Sequence, residues 1–197
     1  MNLPKLSFVY AYPLDAEMRR SFEERGQVYP NQDEIRGVMK HWEEIWRESN
    51  IEYDLLKKLV VITERVPERN LECFIFGRGL TPKSTPFMLP IWNRQQEQWS
   101  DNKFIDLMIH ELLHIFLSTD NIKYWGGVRK KYANEEIVTQ NHILLYAMLN
   151  EIYQDAWQID PIDFSRDNLP LGYARAIELV KEIGYKELID EYKNLQK

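Results

Sequence analysis

Three observations predict an α+β fold. Short runs of β-branched and aromatic residues are confined to the first half of the chain. From Ser100 onward, apolar residues recur at the 3.6-residue helical period almost without a break. The 197 residues suit a single domain, long enough to bury about 70% of the surface its unfolded chain would expose. The expected organisation is one domain over residues 1–197. Residues 1–99 form a mixed α/β lobe with a small sheet, and residues 100–197 form a helical lobe.

The elements follow in order. Leu6–Tyr12 is aromatic and β-branched and stops at Pro13, which predicts a strand. Leu14–Arg25 is amphipathic and meets Gly26, a short helix with its stop signal. Asn31 caps a helix reaching Asn50, with Ile35, Val38, Met39, Trp42, Ile45 and Trp46 at helical spacing. Leu59–Thr63 and Leu71–Phe76 read as strands, with Pro67 and Asn70 in the turn between them. Thr81–Pro90 carries three prolines around Phe87-Met88-Leu89, and proline confines a strand there to the edge of the sheet. Helices are expected at 101–118, 134–153, 171–183 and 185–194, the last two parted by Gly184.

Composition excludes several classes. A single cysteine, Cys73, rules out an internal disulfide and a four-thiolate zinc site, and its apolar setting reads as inert packing. A net charge of −6 with no basic stripe argues against nucleic acid. No run approaches the ~18 apolar residues of a membrane span, since Phe104–Leu117 is broken by Asp106, His110, Glu111 and His114. The N-terminus lacks the pattern of a secretory signal, so a cytoplasmic protein without membrane association is expected. Glu43-Glu44 and Lys57-Lys58 read as solvated charges, and oligomeric state is not legible.

The chemistry concentrates in His110-Glu111-Leu112-Leu113-His114, inside the strongest helix of the second half. Histidines four apart lie one turn above another on the same face, so both imidazoles reach one metal ion. The adjacent glutamate can then take a proton from water brought to that ion. Asp106, His110, Glu111, His114 and Ser118 share a sector, while Phe104, Ile105, Met108, Ile109, Leu112, Leu113, Ile115 and Phe116 cover the rest. A helix apolar on nearly every other side is buried, and its polar stripe needs a solvating partner.

A zinc site of this kind takes a third protein ligand. Glu135 shares one side of the next helix with Thr139, His142 and Tyr146, whereas Glu136 points away from the apolar centre; Glu135 is preferred. Asp120, six residues past His114, is a further candidate, but no glycine precedes Gly126 to break the helix sharply, and it reads more naturally as a turn residue.

His110-Glu111-Leu112-Leu113-His114, followed downstream by Asn134-Glu135, resembles the zincin metallopeptidases and, within them, the gluzincin branch. The likeness spans Phe104 to Tyr153. It implies a zincin-like fold, one zinc ion per chain on His110, His114 and Glu135, and Glu111 as general base. Thr139 stands where many gluzincins carry an aspartate, and the glycine and third histidine of the metzincins are missing.

On this reading the protein hydrolyses peptide bonds in a peptide or an unfolded protein segment. His142 is the preferred donor to the oxyanion, with Tyr124 and Tyr132 as alternatives. The strand around Phe87-Met88-Leu89 would pair with an extended substrate, as zincins generally arrange. Trp92, Trp99 and Trp125 could line a cleft or belong to the core. The alternative function is a non-catalytic binding or regulatory module with a structural metal site.

Overall fold

In the computed structural model, residues 3–48, 51–67, 70–118 and 122–196 are described. The elements in order are β1 (Leu6–Tyr10), α1 (Tyr12–Glu23), α2 (Gln32–Arg47), α3 (Ile51–Thr63), β2 (Leu71–Phe76), β3 (Lys83–Ser84), β4 (Phe87–Pro90), α4 (Asp101–Ser118), α5 (Ile122–Lys131), α6 (Ile137–Trp157), a 3-10 turn (Ile162–Ser165), α7 (Leu171–Ile183) and α8 (Tyr185–Gln196). The fold is mixed α+β, with one small sheet and a helical second half. Two compact units divide it: one from β1 to Lys57 and from Val66 to Glu111, the other Lys58–Arg65 and everything from Leu112 on. The division falls inside α4, about three turns further along than the change of periodicity at Ser100 suggests.

The first unit holds the sheet, in the order β1-β2-β4-β3. β1 and β2 run parallel with Leu6 opposite Leu71, and β2 and β4 run parallel with Phe74 opposite Met88. β3 is antiparallel to β4, with Ser84 opposite Phe87. Asn31 caps α2 as expected, its side chain accepting from the Glu34 amide at 2.9 Å. That helix lays Ile35, Val38, Trp42 and Trp46 into the core, where Trp42 stacks on Phe104 with ring centroids 4.6 Å apart.

The chief anchor of this unit is a buried charge that the sequence reading passed over. Asp15, on α1, has no exposed surface. Its carboxylate accepts from the Tyr10 and Tyr29 hydroxyls at 2.7 Å each, from the Gly77 amide at 2.8 Å and from the Arg19 guanidinium at 3.2 Å. Four donors on one carboxylate tie α1, β1 and the turn after β2 together, and the arginine balances the charge. Burial and this neighbouring charge hold the Tyr10 phenol up at about 12.

Two strand expectations are corrected. Leu59–Thr63 is the end of α3. A strand would put residues 59, 61 and 63 on one face, but Leu59 and Thr63 are buried while Val61 is 58% exposed. Leu55, Leu59 and Ile62 instead line one helix face, so packing overrides the β-branched preference of the run. The strand around Phe87-Met88-Leu89 is not at the edge either: β4 is wholly buried and lies between β2 and β3. Pro82 lies just before β3 and Pro86 in the hairpin turn, while Pro90 is the last residue of β4, in register with Phe76. β1 also ends sooner than expected, because Pro13 opens α1 from its first turn rather than closing a strand.

The second unit is built around α6, whose residues from Thr139 to Tyr153 are almost all buried. α7 and α8 pack against it, and Gly184 separates them with φ +99°. α5 is an unexpected helix. Gly126-Gly127 weakens its sequence signal, but Tyr124 and Val128 are buried one turn apart, and Tyr124 meets Tyr192 of α8 edge-on at 5.0 Å. No helix among the described residues is long and apolar enough to cross a membrane.

Candidate metal centre

α4 delivers the motif as its pattern requires. Phe104, Met108, Ile109, Leu112, Leu113 and Phe116 are fully buried, and the helix is continuous from Asp101 to Ser118. His110 and His114 therefore stand one turn apart on one rigid element. Asp106, one turn before His110, is buried with the Lys103 ammonium at 2.6 Å.

The third member of the group comes from α6. The ligand-bearing atoms of His110, His114 and His142 all lie within 4.8 Å of one another. His114 Nε2 and His142 Nε2 are 3.2 Å apart. Two imidazole nitrogens on a tetrahedral ion, at the usual ~2.05 Å from zinc, are about 3.3 Å apart, so this pair already has the right spacing. A side-chain adjustment of at most about 1.5 Å brings the widest pair to the same spacing.

The tautomer also fits. His142 Nδ1 lies 2.7 Å from the Val138 carbonyl, which can only accept, so Nδ1 carries the proton and Nε2 presents its lone pair. Burial, reinforced by the nearby His142, pulls the His114 imidazole down to about 3, and burial lowers His142 against the opposing pull of the Val138 carbonyl and the Asp163 charge. Both rings are thus neutral donors near pH 7, the form a metal takes. Their chemistry suits a divalent ion that accepts imidazole.

Glu111, 6% exposed, sits beside this group on α4. Burial raises its carboxyl from the ordinary 4.5 to about 8. Cys73 feels the same environment, its thiol pushed up by burial and then by Glu111, and is inert packing.

The structure leaves Glu135 outside the histidine group. Its carboxylate is held by the Arg175 guanidinium at 3.1 Å. The phase argument that aligned Glu135 with His142 needs a helix beginning at Asn134, but α6 starts at Ile137 and Glu135 lies in the loop before it. Glu136 is the residue preceding that helix, and its Oε2 faces the start of α7 near Gly172. Asp120 lies outside the described residues. His142, expected as an oxyanion donor, occupies the place in the group that the sequence reading gave to Glu135.

The remaining candidates have other occupations. Tyr124 is a packing residue of α5, and the Lys131 ammonium lies over the Tyr132 ring at 5.2 Å. Trp92, Trp99 and Trp125 donate to Glu34, the Pro90 carbonyl and the Leu117 carbonyl respectively. Thr139 donates to the Gly172 carbonyl at 3.1 Å, which joins α6 to α7 rather than supporting a histidine. His41, the fourth histidine, pairs with Asp101 on the surface at 3.0 Å.

Three residues around His142 were given no role by the sequence reading. The Tyr173 ring of α7 is 4.4 Å from the imidazole, centroid to centroid. Tyr146, one turn along α6, lies at 5.9 Å, and its hydroxyl donates to the buried Asp163 at 3.1 Å. Of these, only Tyr146 was within reach of helical spacing. Compared with protein-family models, curated proteins and solved structures, the chain matches none.

Proposed function

We propose that this chain is a zincin-like, metal-dependent hydrolase of peptide bonds, with His110, His114 and His142 holding a single zinc ion and Glu111 acting as general base. The observation that carries the reading is the convergence of three imidazoles from two helices beside a buried carboxylate, on a helix apolar elsewhere. A divalent ion in that place acts as a Lewis acid on a carbonyl oxygen and acidifies water. Glu111 takes the proton of the attacking water and returns it to the leaving amine. Its raised affinity for a proton belongs to the metal-free pocket, and a cation held by the three histidines would draw it back into the ionised form that a base requires. His142 contributes as a ligand, with Nδ1 committed to Val138 and Nε2 facing His114.

Peptide as the substrate class rests on the resemblance of the motif to zincins. The sheet supports it: β3, the antiparallel outer strand, covers only Phe87 and Met88 of β4 and offers its own outer edge to an extended chain. The test is elemental analysis together with digestion of an unfolded protein followed by mass spectrometry. Wild type is expected to carry one zinc per chain and to cleave. Glu111→Gln is expected to keep zinc and lose cleavage, His142→Ala to lose zinc, and Glu135→Ala to keep it. Zinc retained in His142→Ala and lost in Glu135→Ala would return the third position to Glu135. Bound zinc without cleavage of any substrate would favour a structural metal site.

A further inference from the structure

We infer that Asp163, acting through Tyr146, positions His142 and adds buried negative charge that strengthens divalent-cation binding by the three imidazoles. This rests on the metal site proposed above and concerns residues outside the ligand group. Three neutral imidazoles bring no negative charge of their own to a doubly charged ion, so buried carboxylates around the ligands bear on its affinity. His142 Nδ1 meets the Val138 backbone carbonyl, which orients the ring but carries no net charge.

Asp163 is the buried carboxylate nearest in this chain of contacts. It lies on the 3-10 turn after α6, with its two oxygens divided. Oδ2 accepts from the Tyr146 hydroxyl at 3.1 Å, and Oδ1 accepts from the half-exposed Arg166 guanidinium at 3.1 Å. Tyr146 has no exposed surface, and its ring lies against the imidazole of His142. The phenol therefore fixes both the carboxylate and the floor beneath the histidine. Phe164, from the same turn, meets Tyr146 edge-on at 5.9 Å. In such a setting a charge is felt well beyond contact distance, because the effective dielectric is far below that of water. The Arg166 head is open to solvent, so its opposing charge is screened far more than the carboxylate it holds.

The experiment measures Zn2+ and Co2+ affinity of the full chain by chelator competition, together with the visible absorption of the Co2+ form. Asp163→Asn keeps the size and the oxygen that accepts from Tyr146 but removes the charge. It is expected to weaken both ions about tenfold or more. Tyr146→Phe keeps the packing and cuts the link, and it is expected to weaken binding and shift the Co2+ bands as His142 reorients. The double variant is expected to lose no more than the stronger single, since both act on one path. Wild-type affinity and an unchanged Co2+ spectrum in Asp163→Asn, with circular dichroism confirming the fold, overturn the inference while leaving the metal site intact. If Asp163→Asn does not fold, Tyr146→Phe decides by the same two readouts. Wild type that binds neither ion removes the metal-site reading itself.

Discussion

The general-base assignment makes a prediction about stability that is independent of catalysis. In the metal-free protein, burial displaces the Glu111 carboxyl from 4.5 to about 8. Below pH 4.5 both folded and unfolded chains hold the proton. Between 4.5 and 8 only the folded chain does, so stability falls as pH rises, and above 8 the loss is complete. At 1.36 kcal/mol per pH unit that displacement amounts to about 5 kcal/mol, comparable with the whole net stability of many domains. His114 acts in the opposite sense: its imidazole, drawn from 6.5 to about 3, makes stability rise with pH up to 6.5. The two oppose each other between 4.5 and 6.5, and Glu111 acts without that opposition from 6.5 to 8, where it removes about 2 kcal/mol.

Glu111→Gln isolates the effect, because it deletes one titration and leaves the other. Urea unfolding of both metal-free proteins, from pH 4.5 to 9, is the assay. The variant is expected to gain on wild type progressively, by several kcal/mol at pH 9, while losing all hydrolysis in its metal-loaded form. Adding zinc to wild type should flatten the slope above pH 6.5, because a bound cation favours ionised Glu111 and the imidazoles are already neutral in both states. Parallel pH curves for the two metal-free proteins would refute the burial of Glu111 and with it the argument for its catalytic role.

Other outcomes follow from the same geometry. Asp15→Ala strands two hydroxyls, the Gly77 amide and Arg19, and should cost about 3–5 kcal/mol in chemical unfolding. Gly172→Ala places a Cβ 2.9 Å from that of Val138, so α7 must move off α6; a loss of about 1–3 kcal/mol and weaker zinc binding are expected in calorimetry and titration. Arg175→Ala releases Glu135 yet should leave zinc content unchanged, read by elemental analysis, with little loss of stability because the pair is solvent-screened. Zinc at a hundred times its dissociation constant should stabilise the chain by about 2.7 kcal/mol, visible as a rise in Tm that chelation abolishes.

Much of the fold was legible because the relevant signals are local. The period of Ile35, Val38, Trp42 and Trp46 placed α2, and the apolar surround of His110 and His114 placed α4 and required its burial. Leu71–Phe76 and Leu171–Ile183 fall where their patterns put them. Misreadings arose where local preference and packing disagree. The β-branched end of α3 is helical because the face carrying Leu55, Leu59 and Ile62 is buried, and α5 forms despite paired glycines because it packs on α8. The order of the sheet was equally out of reach, since a proline-rich segment can sit inside a sheet when its prolines fall at strand ends.

The chain alone determined that two imidazoles and a carboxylate share one face of a buried helix, because a repeat of 3.6 residues is a property of any α-helix and needs no knowledge of its neighbours. Which side chain meets them across the gap was decided only by tertiary structure. Glu135 and His142 lie seven residues apart, two turns only if the helix had begun at Asn134, and the choice between them depended on where α6 begins and which side it turns toward α4. That phase is set by α7 and α8 packing on α6, by the Thr139 bond to Gly172 and by Arg175 drawing Glu135 away, contacts made across 33 and 40 residues of sequence that no local pattern encodes.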